Sequence, residues 1–233
     1  MDILTVKGLE ASYGMSQILF GVDLTVEQGE SVCLLGRNGV GKTTTIRSIM
    51  GSLKPGKGSV IFDGQEICGM PSHAICKRGM SYVPQGRRIF SSLTTKENLL
   101  VSEKKGPDGS NVWTLDKVYE LFPRLKEREN SMGTQLSGGE QQMLTIARGL
   151  IQNPKLLLLD EITEGLAPVV VNELVEVIGK LREQGVSILV AEQSVKFALQ
   201  VSSRCYILEK GKVVYSGRSD EIPDEIFREY LGT

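Results

Sequence analysis

Residues 31–50 read SVCLLGRNGVGKTTTIRSIM. The stretch opens on an apolar run, Val32-Cys33-Leu34-Leu35, short enough for a buried strand. It turns through Gly36-Arg37-Asn38-Gly39-Val40-Gly41-Lys42-Thr43, which fits G-x-x-x-x-G-K-[ST] at every fixed position. A helical segment follows, Thr44 to Met50, closed by Gly51. The spacing has a mechanical reason. Glycines let the backbone curl until consecutive N–H groups point inward at phosphate oxygens. The helix N-terminus adds its positive dipole end. Lys42 can reach terminal phosphates, and the Thr43 hydroxyl can ligate Mg²⁺. A Gly-rich turn that binds nothing would not need the lysine and threonine as well.

The rest of the chain frames this loop. Ile3 to Val6 reads as a strand, and Val22, Leu24 and Val26 alternate with polar residues in a second one. A third runs from Gly58 to Phe62 and turns at Asp63-Gly64. These short, turn-linked strands predict a small antiparallel sheet beside the nucleotide strand. Met80 to Val83 is a strand stopping at Pro84-Gln85-Gly86. From Arg87 to Gln152 the pattern is mostly helical, broken by the polar loop 104–111, as expected of an insertion into an α/β core. In its last helix Met143, Ile146, Ala147, Leu150 and Ile151 share one face, and Asn153-Pro154 ends it.

Leu156-Leu157-Leu158-Leu159 then runs into Asp160-Glu161. A run apolar on both faces that ends in two acids is the pattern of a central parallel strand with carboxylates at its C-terminal edge. Val171, Leu174, Val175, Ile178 and Leu181 mark another amphipathic helix, stopped at Gly185. Val186 to Ala191 is a strand, Tyr206–Leu208 and Val213–Tyr215 form a hairpin, and Asp224 to Leu231 is a short helix. With 233 residues the chain has ample length for a core.

Composition narrows the function classes. The net charge is -1 with 24% charged residues, which gives no general pull toward nucleic acid. The four cysteines (Cys33, Cys68, Cys76, Cys205) form no C-x-x-C pair, and they read as reduced thiols of a cytosolic protein. The start of the chain lacks a signal-peptide core. No apolar run approaches the roughly 20 residues that span a bilayer. Any membrane association is therefore expected through a partner.

A phosphate-binding loop with a strand-end Asp makes a nucleoside triphosphatase or a nucleotide-dependent transferase. Asp160 is placed to hold Mg²⁺ through its water shell, and Glu161 to take a proton from an attacking water. The sharper signal is Leu136-Ser137-Gly138-Gly139-Glu140, about twenty residues before Asp160. A Ser-capped helix with glycines in its first turn is a second anion site. At this point the chain resembles the ATP-binding cassette family, whose signature is LSGGQ.

The resemblance covers essentially the whole chain. It implies an α/β fold: a P-loop NTPase core with a flanking antiparallel β subdomain and an inserted helical subdomain. The core is expected over 1–86 and 153–233, and the helical signature subdomain over 87–152. It implies ATP and Mg²⁺ as cofactors. Tyr13 matches the aromatic that stacks on adenine, and Gly36, Arg37, Asn38, Gly39, Val40, Gly41, Lys42, Thr43 and Thr44 match the phosphate cradle. Thr43, Gln85 and Asp160 match the metal site, with Gln85 also facing the water and the membrane partner. Leu136, Ser137, Gly138, Gly139 and Glu140 would face ATP held by a second chain, so that each nucleotide is sandwiched head-to-tail between two subunits.

Departures from the family pattern are informative. Glu140 replaces the usual Gln, Ile162 the common Pro, and Ala167 an Asp that communicates across the dimer. Ser194, after Glu192-Gln193, stands where a γ-phosphate-sensing histidine is usual. The chain's single histidine, His73, is far upstream and reads as a surface or packing residue. Glu161, Gln85 and Ser194 are thus the expected catalytic set, with slow turnover or dependence on a partner's complete site.

The segments 82–87, 136–143 and 164–168, with a non-His residue after Glu192-Gln193, are similar to the LivF-type ATPases of branched-chain amino-acid importers. Urea and short-chain amide importers carry closely similar subunits. That resemblance implies a hetero- or homodimeric partner ATPase, two transmembrane permease subunits, an external solute-binding protein, no nucleic acid, and a peripheral place on the cytoplasmic face of the membrane. Three other readings compete. A soluble cassette protein acting on DNA or ribosomes usually carries a coiled coil or a second cassette. A small-molecule kinase would not need Ser137-Gly138-Gly139. A regulatory module that binds ATP without turnover is favoured slightly by Ser194 and Ala167, while Glu161 argues against it.

Overall fold

The computed structural model describes residues 1–231; Gly232 and Thr233, the end of the expected core segment 153–233, lie outside the described residues. The chain begins with β1 (Asp2–Tyr13), β2 (Ser16–Glu27) and β3 (Ser31–Leu35), followed by α1 (Lys42–Ile49). Then come β4 (Lys57–Phe62), β5 (Gln65–Glu66), α2 (Ser72–Lys77) and β6 (Met80–Val83). The helical stretch holds α3 (Thr95–Leu100), α4 (Leu115–Leu121), α5 (Pro123–Glu127), a short 3₁₀ turn (Gly133–Gln135) and α6 (Gly138–Leu150). The second half of the core supplies β7 (Leu156–Asp160), α7 (Pro168–Glu183), β8 (Ser187–Glu192), α8 (Val195–Val201), β9 (Arg204–Glu209) and β10 (Lys212–Arg218). A final turn, α9 (Asp224–Ile226), passes into a π-helical turn over Phe227–Leu231.

Two sheets organise these elements. The larger has the order β10-β9-β3-β8-β7-β6. It is parallel throughout except for β10, which returns antiparallel to β9. The smaller has the order β2-β1-β4-β5 and is antiparallel. The expected strand β3, the hairpin β9–β10 and the flanking sheet are all present. The first two strands are longer than the alternation suggests. β1 reaches Tyr13 because register shifts between Val6 and Leu9 and between Ala11 and Ser12 carry it past breaks in the pattern. A bulge offsets the period of two, so a strict alternating template loses the strand there.

Burial on both faces explains the apolar runs. Leu156 and Leu158 of β7 and Leu189 and Ala191 of β8 point into one core with α1 and the smaller sheet. Leu157 and Leu159, with Ile188 and Val190, point into a second core with α6 and α7. Each fully buried Leu contributes about 1.5–3 kcal/mol, which leaves little room for a polar residue before the strand ends. The carboxylates therefore appear where the strands emerge.

The helical stretch is pinned to the core through Asn153, buried and left-handed at φ 52°. Its Oδ1 accepts from Trp113 N at 2.7 Å, and its Nδ2 donates to Lys104 O at 2.9 Å. Among the described residues, no helix is long and apolar enough to cross a membrane.

Candidate active site

The phosphate-binding loop is shaped by two glycines that nothing else can replace. A Cβ on Gly36 would lie 2.5 Å from Leu208 O, so the close approach of β9 requires its absence. Gly41, the residue before α1, has φ 115° and would place a Cβ 2.8 Å from Leu19 Cδ2. The left-handed turn there aims the first N–H groups of α1 into the loop.

Lys42 follows immediately and is 2% exposed. Its Nζ donates to Gly36 O at 2.8 Å and Arg37 O at 2.9 Å, and lies 3.0 Å from Glu161 Oε1. The ammonium is thus held inside the loop by two carbonyls and one carboxylate. Gln85 Nε2 donates to the other Glu161 oxygen at 3.0 Å and to Glu164 Oε2 at 2.7 Å. Glu161 itself sits at φ 47°, and its N–H donates to Ala191 O at 2.8 Å.

Asp160 closes β7 fully buried. Its Oδ1 accepts from Thr43 Oγ1 at 3.0 Å and its Oδ2 from Tyr82 OH at 2.9 Å. Burial raises the Asp160 carboxyl pKa, partly offset by those two hydroxyls. The same burial, with Asp160 alongside, pushes the Tyr82 hydroxyl well above the usual phenol range. This oxygen set suits Mg²⁺, which takes one or two protein oxygens and completes its shell with phosphate and water. Accordingly, no cluster of three or more His, Cys, Asp or Glu able to hold a metal by itself occurs among the described residues.

Lys42, Thr43, Gln85 and Glu161 open into one cavity of about 520 Å³, also lined by Tyr13, Ile18, Asn38, Gly39, Gly41, Thr44 and Arg47, with Asp160 buried behind Thr43. Tyr13 is 45% exposed at its rim, with Arg47 Nη1 3.4 Å from its hydroxyl. Gly36 and Val40 are buried behind the loop, while the Arg37 side chain lines a separate groove with Lys210 and Tyr230. A second cavity of about 240 Å³ adjoins through Asn38 and Glu161 and reaches Thr163, Glu164, Glu192, Gln193 and Ser194. Ser194 caps α8, its Oγ accepting from Phe197 N at 3.4 Å. His73 is exposed on α2.

The signature lies apart: none of Leu136, Ser137, Gly138, Gly139 and Glu140 lines either cavity. Ser137 caps α6, its Oγ accepting from Glu140 N at 3.3 Å while Glu140 Oε2 accepts from Ser137 N at 2.7 Å. This reciprocal box explains the acid at residue 140. Leu136 is buried beneath it.

Several contributors are not evident from the sequence. Tyr82 reads there as a strand residue opening the 82–87 segment and with no part in the site, yet its hydroxyl donates to Asp160. Arg87 donates to Gly165 O at 3.0 Å and lies against Gly138, joining the signature to the turn after Glu161. Glu192 and Thr163 come together only in the fold. The one signal for Glu192 is the pattern also seen at Asp160, an acid at the end of an all-apolar strand.

The arrangement can bind a polyphosphate at the loop, hold a divalent cation beside Thr43 and Asp160, and present a carboxylate to a water. Residues 19–164 match the family described as ABC transporter. The high-affinity branched-chain amino acid transport ATP-binding protein BraG of Pseudomonas aeruginosa is 42% identical over 91% of each chain. The lipopolysaccharide export system ATP-binding protein LptB of Escherichia coli strain K12 is 37% identical over 100% of this chain and 98% of its own. A solved ADP conformation of an ATP-binding cassette of an ABC transporter superposes with a TM-score of 0.82, at 25% identity, over 99% of this chain and 95% of that one.

Proposed function

This chain belongs to the ABC transporter family and is an ATPase coupled to transport, and on that premise we propose that it powers an importer of branched-chain amino acids. The observation that carries the enzymatic part is the convergence of Lys42, Thr43, Gln85 and Glu161 at one cavity edge, with Asp160 bonded to Thr43 just behind it.

In this reading adenine stacks on Tyr13, and the loop N–H groups and Lys42 take the phosphates. Thr43, Asp160 and Gln85 would hold Mg²⁺, which would neutralise charge on the phosphate oxygens. Water attacks the γ-phosphorus, its proton passes to Glu161, and the bond to ADP breaks. A well-placed base contributes about 10²–10⁴ in rate. The signature supplies a second anion site at the N-terminus of α6, away from both cavities. It serves ATP held by a second cassette chain in a head-to-tail pair. A bacterial cassette 25% identical to this chain has been solved in dimeric form. We assign residues 1–86 and 153–233 to the core and 87–152 to the signature subdomain. Two permease subunits would carry the solute and an external binding protein would deliver it, with this chain on the cytoplasmic face.

The similarity to BraG, and to the probable branched-chain amino acid transport ATP-binding protein LivF of Archaeoglobus fulgidus at 35% identity, supports amino acids as the solute. The full-length similarity to LptB supports a second reading, lipopolysaccharide export. Uptake of labelled leucine in cells lacking this chain tests the two. Loss of uptake, restored by the wild-type chain and not by Glu161→Gln, is the expected result. Normal leucine uptake with an outer-surface lipid defect would favour export, and loss of urea or short-chain amide uptake would reassign the solute.

A further inference from the structure

Glu192 ends β8 with 2% exposure, and no step of the hydrolysis above uses it. A carboxylate buried this deeply is costly unless donors surround it. Here they do. Oε1 accepts from Thr163 N at 3.0 Å, and Oε2 accepts from Thr163 Oγ1 at 2.9 Å and from Gln193 N at 3.3 Å. Burial still leaves its pKa above the ordinary carboxyl range, with those donors acting in the opposite sense.

The turn that Glu192 grips is the one that carries Glu161. Glu161 is left-handed at φ 47°, a conformation that a residue with a Cβ holds only when its surroundings over-determine it. Two pins supply that constraint, and both belong to β8. One is the bond from Glu161 N to Ala191 O at 2.8 Å. The other is the pair of hydrogen bonds that Thr163, two residues further on, donates from its N–H and its hydroxyl to the two carboxylate oxygens of Glu192. Glu192 and Glu161 also line the same small cavity, with Asn38 and Ser194. Three donors meet this side chain, Thr163 N, Thr163 Oγ1 and Gln193 N, one more than the two lone pairs of a glutamine's single acceptor oxygen, so a carboxylate satisfies them all where an amide does not.

We propose that Glu192 is a positioning residue for hydrolysis: through Thr163 it holds the backbone of Glu161 in the left-handed turn that presents its carboxylate to the reacting phosphate. The proposal rests on the reading of Glu161 as the base. Once a terminal phosphate takes over Lys42, the Glu161 side chain is released while its backbone stays pinned. A displacement of about 1 Å at such a group can cost 10²-fold in rate.

The test is steady-state ATP turnover by the chain with its partner subunits, for Glu192→Ala, Thr163→Val, Thr163→Ser and the Glu192→Ala/Thr163→Val pair. Glu192→Ala and Thr163→Val should each lower kcat about 10- to 100-fold while KM for Mg-ATP changes little. Thr163→Ser should restore turnover, and the double variant should be no slower than the slower single one. Equal losses in kcat and KM, or losses that multiply in the double variant, would overturn the proposal, because a merely structural role behaves that way. A crystal structure of Thr163→Val provides a readout independent of turnover. Glu161 should leave the left-handed region, and an unchanged φ would contradict the positioning role. If the wild-type chain neither bound nor hydrolysed ATP, the functional reading would fall, and this φ alone would decide whether Glu192 holds the turn.

Discussion

Lys42 Nζ lies 3.0 Å from Glu161 Oε1. The cation that would hold the terminal phosphates and the carboxylate that would activate water are bonded to each other. Glu161 takes the place of a phosphate oxygen for Lys42, and Gln85 holds its other oxygen. On the proposed reading, a nucleotide entering the loop would displace this contact, and the same displacement would free the carboxylate of Glu161.

Removing the competing charge should therefore strengthen binding even of a nucleotide without a γ-phosphate. Glu161→Gln should bind ADP about tenfold more tightly, close to 1.4 kcal/mol, while its ATP turnover disappears. Titration with a fluorescent ADP analogue measures the first effect independently of hydrolysis. Equal ADP affinity in the two proteins would show that the Lys42–Glu161 contact does not compete with phosphate.

Ser137 bears on a different nucleotide. Ser137→Arg should leave ATP affinity of the single chain unchanged, because the signature lines neither cavity. In the Glu161→Gln background, where hydrolysis is blocked, it should prevent Mg-ATP-dependent pairing with a second cassette chain. Light scattering on the chain with its partner ATPase reads this. Pairing that survived the arginine would rule out the signature as part of the sandwich.

Ser194 caps α8 through Phe197 N, so Ser194→His should have two opposing effects. Stability should fall by about 1 kcal/mol, the usual worth of such a cap. Turnover should rise if the γ-phosphate lacks a histidine contact on this chain. Thermal unfolding and ATPase rate separate the two. Lost stability with unchanged turnover would mean that another group already serves the phosphate.

Much of this was legible beforehand, for a physical reason. The loop 36–43, the signature 136–140 and the Asp160-Glu161 end of β7 are local patterns whose chemistry depends on neighbours in sequence. The Lys42–Glu161 pair, Tyr82 on Asp160 and Glu192 on Thr163 join residues of different strands and turns, and no spacing encodes them. Tyr82 reads as a strand residue and Glu192 as the residue just past the apolar strand 186–191, and only the parallel register of β6, β7 and β8 brings their ends together. Similarly, bulges hid the full length of β1.

Glu192 also predicts a pH dependence of stability. Burial raises its folded-state pKa, with Glu161 adding to the rise. Its unfolded-state value is about 4.3. The folded state then binds the proton more tightly than the unfolded state. The contribution of Glu192 to stability is fully present below the unfolded pKa and is lost as pH rises through the folded one. In Glu192→Gln this loss is absent. Urea unfolding of both proteins from acid to neutral pH should show the wild type falling relative to the variant. Parallel curves would mean that the Glu192 pKa is the same folded and unfolded.

Lys42, held inside the loop by Gly36 O and Arg37 O, is the residue on which phosphate binding depends most directly. Calorimetric titration of wild type and Lys42→Ala with Mg-ATP tests it. Charged hydrogen bonds of this kind contribute about 1.5–3 kcal/mol, so the variant should bind at least tenfold more weakly, with its folded state unchanged by circular dichroism. Equal affinity in a folded Lys42→Ala protein would contradict the assignment of this cavity to the phosphates of ATP.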